Sequence, residues 1–115
     1  MRLPGAYTAI IPASKIVDYL LSATHRAGKS KAAFFSAFGF SANDWQTMAD
    51  ALRSHAMENE IVEQETTAFG IRYVIDGRMS APDGSVLNVR SVWFIDVGSM
   101  VPRFVTAHPL RREVL

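Results

Sequence analysis

Apolar residues recur at three- and four-residue spacing through roughly the first half of the chain, and at every second residue after about position 60. The first half therefore predicts helices. In "PASKIVDYLLSATH", Ser14 stands as the cap of a short helix with Ile16, Val17, Leu20 and Leu21 on one face. In "HRAGKSKAAFFSAFGF", a turn at Gly28 and a cap at Ser30 precede an apolar second helix carrying Ala33, Phe34, Phe35 and Phe38, closed by a left-handed Gly39. "SANDWQTMADALRSHAMENE" opens with Ser41 and Asp44 in the spacing of a capping box and buries Trp45, Met48, Ala49 and Leu52. That third helix ends near His55 or Ala56, where a histidine complements the helix dipole and is read as structural.

Four strands follow: "EIVEQETT", "GIRYVIDGRMS", "SVLNVRSVWFIDV" and "RFVTAHP", the middle two joined by the turn residues Pro82, Asp83 and Gly84. Helices followed by a meander of strands predict an α+β fold, with about three N-terminal helices packed on one face of a four-stranded antiparallel sheet. Alternation places Ile71, Tyr73, Ile75, Leu87, Val89, Trp93, Ile95, Val105 and Ala107 inward. Arg72, Val74, Asp76, Asn88, Arg90, Val92, Phe104, Thr106 and His108 then face outward. Arg72, Arg90, Thr106 and His108 are thus expected to converge on the sheet face away from the helices.

Composition narrows the class. The 115 residues suit one domain, 1–115, able to bury roughly two thirds of its unfolded surface. Hydrophobic content of 49% with 20% charge is that of an ordinary soluble globule, and no apolar run suggests a membrane span. Proline, glycine and tyrosine interrupt the N-terminal segment before a signal-peptide core can form. The lack of cysteine removes disulfides, thiolate metal sites and cysteine nucleophiles, and fits a cytoplasmic location. The net charge is only +1, yet it is segregated. Arg2, Lys15, Arg26, Lys29 and Lys31 oppose Asp18 alone in residues 1 to 31, whereas Asp44, Asp50, Glu58, Glu60, Glu63 and Glu65 oppose only Arg53 in residues 43 to 65. Such segregation suits one face that accepts phosphates.

Cleavage of RNA without metal needs a base for the 2′-hydroxyl, donors for the pentacoordinate phosphate and an acid for the leaving oxygen. His108 titrates near neutrality and suits either proton role. Arg72 and Arg90 suit bidentate phosphate binding, Thr106 donates a hydrogen bond, and an outward Phe104 offers a base a stacking surface. His25, Arg26, Lys29 and Lys31 surround a turn entering a helix, a place that favours an anion. The plainer explanation of the same residues is solvation, since polar residues on an exposed strand or turn need no further role. Asp76, Asp83 and Asp96 are too dispersed for a paired-carboxylate site, and no metal or cofactor is expected.

"KIVDYLLSATHRAGKSKAAFFSAFGF", "NDWQTMADALRSHA", "VRSVWFID" and "VPRFVTAHP" together resemble a family of small bacterial proteins known only as a domain of unknown function. Its members tend to read "YLL…HP.G..KA.FF..LGF", "VRTVW" and "RLVTAYP". That family looks like a distant relative of the barnase, EndoU, colicin E5/D and RelE ribonuclease folds, which occur as toxin modules with cognate inhibitors. The resemblance implies His25, Lys31, Arg90 and Thr106 as site residues. Arg26 replaces the family's usual proline and His108 its usual tyrosine. Two readings stay open. One is a toxin-type metal-independent endoribonuclease with catalytic His25, Lys31, Arg90, Thr106 and His108, substrate-binding Arg72, Lys29 and Phe104, and a small antitoxin or immunity protein as partner. The other is a non-catalytic module of a toxin–antitoxin-like pair that binds protein or nucleic acid through the same face.

Overall fold

The computed structural model of the chain describes residues 1–110. A 3-10 turn at Ala6–Thr8 and then three helices precede a four-stranded antiparallel sheet in the order β1-β2-β3-β4, an α+β architecture. The strands span Ile61–Thr67 (β1), Gly70–Ser80 (β2), Val86–Asp96 (β3) and Arg103–Pro109 (β4). The period-two segments of the sequence thus become strands almost residue for residue.

The helical half departs further from its pattern. The first helix, α1, has an ordinary turn at Ala13–Lys15 and then a wider π turn over Ile16–Leu20, closed by Leu21 N–H donating to Ile16 O at 2.7 Å. Its N-cap position falls on Pro12, so Ser14 is not the expected cap. The wider turn shifts the helical phase, and Val17, expected inside, is 36% exposed while Ile16, Leu20 and Leu21 stay buried. The second helix, α2, is Lys29–Ala37 with Gly28 at the N-cap position, which places Ser30 inside the helix rather than at its cap. Gly39, with φ of 102°, ends it as expected. The third, α3, covers Trp45–Glu58 after a 3-10 turn at Ala42–Asp44. Ser41 Oγ accepts from Asn43 N–H, and the Asp44 carboxylate accepts from Thr47 Oγ1, so the expected capping box does not form.

The inner face of the sheet packs Tyr73, Ile75, Met79, Leu87, Val89, Trp93, Phe104 and Ala107 against Ile16, Leu20, Phe35, Met48 and Leu52. Phe104 and Val105 overturn the expected alternation in β4. Val92 pairs with Thr106 but Trp93 pairs with Phe104, so Val105 is the extra residue of a β-bulge. One inserted residue reverses facing on one side of it. Phe104 therefore turns inward, 1% exposed, with its ring 5.4 Å from Trp93 in an edge-on arrangement. It offers no stacking surface to a ligand. Thr106 and His108, beyond the bulge, keep their outward facing.

His55 has the structural role expected of it, but as a buried joint rather than as a helix-end cation. The helix continues to Glu58, and His55 lies on the buried stripe, 1% exposed. Its Nδ1 lies 2.9 Å from Ser91 Oγ, and its Nε2 lies 2.9 Å from Val89 O and 3.2 Å from Gly77 O. Carbonyls only accept, so Nε2 carries the proton and Nδ1 takes the serine hydroxyl. Trp93 Nε1 donates to the same Ser91 oxygen at 2.8 Å. A closed polar network thus pins α3 to the centre of the sheet.

Candidate functional site

Strand register brings three outward side chains into one row. Asp76 on β2 faces Arg90 on β3, and Arg90 faces His108 on β4. The Arg90 guanidinium donates through Nε to Asp76 Oδ1 at 2.7 Å and through Nη2 to Oδ2 at 2.8 Å. This fork fixes the guanidinium plane and leaves Nη1 outside the pair. The adjacent row is Val74, Val92 and Thr106. Val74 is 1% exposed and Val92 3%, although both lie outside the main core cluster, so this part of the outer face is closed to solvent.

At the β4 edge, α1 and α2 complete the group. Tyr19 stands in the π turn and Lys31 in the first turn of α2. Lys31 Nζ donates to Tyr19 OH and, at 3.0 Å, to Thr106 Oγ1, while the two hydroxyl oxygens lie 2.9 Å apart. An ammonium has three donors and these contacts use two. One mutual bond between the hydroxyls also leaves one O–H proton free. Lysine, tyrosine and threonine therefore present one N–H and one O–H beyond their own contacts.

The loop from Leu21 to Gly28 holds Tyr19 from the other side. A Cβ at Gly28 would come within 2.0 Å of Tyr19 O, so only glycine allows this approach. The His25 ring packs edge-on against Tyr19 with centroids 5.0 Å apart. Ala27 N–H and Gly28 N–H both donate to His25 Nδ1, at 3.0 and 3.2 Å. The imidazole therefore carries its proton on Nε2. Lys15 Nζ lies 5.9 Å from the Tyr19 ring centroid and donates to Val105 O.

These neighbours move two titrations. Burial pushes the His108 imidazole below its ordinary 6.5, and the charges of Lys31 and Arg90 push it further, with Asp76 opposing them. Burial alone would raise the Tyr19 phenol. The hydrogen bonds with Lys31 and Thr106, and the charges of Lys31 and Lys15, outweigh burial and leave it below the ordinary 10.0. The His108 surroundings thus favour its neutral form, and Tyr19 is a phenol made more acidic.

Of the residues singled out in the sequence, Lys31, Thr106 and His25 share the Tyr19 cluster, while Arg90 and His108 share the adjoining row. Arg72 lies elsewhere. It pairs with Glu63 on β1 and belongs to the row of Phe94 and Arg103. Lys29 is exposed at the start of α2. Phe104 is in the core. Sequence reasoning missed Tyr19 and the role of Asp76. Tyr19 lies off the apolar stripe of its helix, and that polar interruption was the available signal. Asp76 was visible only as half of a cross-strand pair with Arg90.

The family model for a domain of unknown function, DUF6883, matches residues 2–111. The chain belongs to that family. The motif resemblance already pointed to a family of this kind. No curated protein matched the sequence. Among solved structures, this DUF6883 chain is similar to a chain of the contact-dependent growth inhibition toxin–immunity protein complex from Klebsiella pneumoniae 342. The TM-score is 0.71 at 21% identity, covering 89% of this chain and 100% of that one. The likeness is one of fold. No helix among the described residues is long and apolar enough to cross a membrane.

Proposed function

We propose that this chain is a toxin-type endoribonuclease that needs no metal, paired with a cognate immunity or antitoxin protein. The observation that carries the reading is a neutral imidazole, His108, set beside a fixed guanidinium and a lysine–tyrosine–threonine cluster. Cations and hydroxyls dominate this group, and its carboxylate, Asp76, is committed to Arg90. Such a set serves phosphate transfer to an internal hydroxyl. His108 takes the 2′-hydroxyl proton, O2′ attacks phosphorus, and the bond to the 5′-oxygen breaks as a 2′,3′-cyclic phosphate forms.

Lys31, Arg90 and Thr106 stabilise charge on the equatorial oxygens. Tyr19 protonates the leaving oxygen, and its phenolate is held by Lys31 until it regains a proton from water. His25 has its Nδ1 occupied by two backbone N–H groups, so it fits as an Nε2–H donor to a phosphate oxygen rather than as the transferring acid. Arg72 and Lys29 lie outside the reacting group and suit contacts with the flanking strand. The fold shared with a chain of a toxin–immunity complex supports the pairing with a partner protein.

The second reading, a non-catalytic binding module, draws support from the outer face itself. Arg72 with Glu63, Arg90 with Asp76 and Arg103 with Asp96 neutralise much of it. Incubation of the purified protein with total RNA in EDTA, beside the Arg90→Ala variant, separates the two. Cleavage by the parent that is lost in the variant supports the nuclease. Intact RNA from folded parent, with salt-sensitive RNA binding or capture of a neighbouring gene product, supports the module.

A further inference from the structure

A cleft of about 360 Å³ opens beside Lys31, lined by Ser30, Lys31 and Phe34 from α2 and by Pro109 and Leu110 at the end of β4. This lies near the lower end of the roughly 300–1,000 Å³ typical of small-ligand pockets. Its walls divide by chemistry. Phe34, Pro109 and Leu110 are apolar and half-buried, whereas Ser30 brings an exposed hydroxyl. The Phe34 ring is braced by Phe35 and Phe38, each 5.2 Å away between centroids, so its orientation is set by the core.

Lys31 joins this cleft to the reacting group. Its side chain lines the cleft, while its Nζ bonds Tyr19 and Thr106. A phosphate held at Lys31 therefore has an apolar, aromatic-walled recess directly alongside it. In RNA, the group found directly alongside a phosphate is a nucleoside, whose base has two apolar faces and a polar rim. We propose that this cleft is a nucleobase subsite, in which the base flanking the scissile phosphate lies against Phe34 with its rim toward Ser30. This rests on the nuclease reading of the adjoining site and names the part of the substrate that reading leaves unplaced.

The cleft differs from the aromatic surface expected at Phe104, which the β-bulge buries. The aromatic contact to a base shifts from the sheet to α2.

The test uses the full chain and a 2′-O-methyl trinucleotide, which cannot form a cyclic phosphate, with 2-aminopurine placed on either side of its central phosphate. Stacking on an aromatic ring quenches 2-aminopurine. The expected result is quenching at one of the two positions in the parent, with affinity weakened roughly 5- to 100-fold and quenching lost in Phe34→Leu. Leu110→Ser, at a half-exposed position, should weaken affinity in the same direction without touching the core. Binding without quenching at either position, no binding, or full quenching in folded Phe34→Leu overturns the subsite. Cleavage of ordinary RNA, assayed in parallel, keeps the two readings apart. Cleavage without quenching leaves the nuclease and removes the subsite, whereas quenching without cleavage does the reverse.

Discussion

His55 and His108 both titrate below the ordinary histidine value, and almost nothing else about their surroundings is alike. Burial is the leading cause at each. At His55 the ring is sealed in the core with both nitrogens engaged by Ser91 and two backbone carbonyls. At His108 the ring is half-buried at the sheet edge, and the further push comes from the cations Lys31 and Arg90. The same direction of shift thus marks a structural joint in one place and, on the proposed function, a chemical group in the other. Closed hydrogen-bond valences hold a fold together, and open ones beside fixed cations remain for a substrate.

Substitutions should separate the two regions sharply. The largest effect on activity is expected at His108→Ala, which should lower RNA cleavage about 10²–10⁴-fold, as for loss of an acid–base group, while melting like the parent. Tyr19→Phe removes the proposed acid but not its ring, and should lower turnover about 10²-fold with substrate affinity little changed. Phe104→Ala should cost about 3–5 kcal/mol of stability by chemical denaturation, with activity per folded molecule retained.

Acid should act on the two histidines in one direction but through different readouts. A group with a depressed folded pKa contributes stability that is full above its unfolded value near 6.5 and is lost as pH falls through its folded value. His55 should therefore make the fold less stable as pH falls below about 6.5, and His55→Gln should flatten that dependence. Cleavage should decline toward acid with an inflection below 6.5, the His108 limb, and Arg90→Gln should move the titration of the His108 ring itself, followed by NMR, upward by removing a cation. The smallest effects are expected at Arg72→Ala and Lys29→Ala. Each should weaken RNA binding uniformly across sequences and make its salt dependence slightly shallower.

The strands were legible because a period of two has few competing explanations, and their alternation put Arg90, Thr106 and His108 on the outer face. Phe104 was misread because strict alternation carried back from His108 and Thr106 puts it outward, although the adjacent apolar pair Phe104 and Val105 breaks the pattern where the bulge inserts its residue. The π turn at Ile16–Leu20 changed the phase of the first helix, so the polar interruption at Tyr19 was visible in the sequence but the neighbours it would meet were not. His55 was legible in principle. It falls three residues after Leu52 and seven after Met48, on the stripe that the helix buries, and its polarity drew attention from its spacing. Asp76 needed strand register, which no single strand carries. Single-residue insertions and cross-strand partners are thus what the one-dimensional pattern conceals.

The central claim is that reactivity resides at His108 and architecture at His55. Cleavage of one defined RNA in EDTA by His108→Ala and His55→Gln, each normalised to folded protein, tests it most directly. The account predicts that the parent and His55→Gln release 2′,3′-cyclic phosphate ends at similar rates, with His55→Gln melting lower, and that His108→Ala melts like the parent and releases almost none. Equal cleavage by His108→Ala and the parent, or no cleavage by the folded parent, would contradict it.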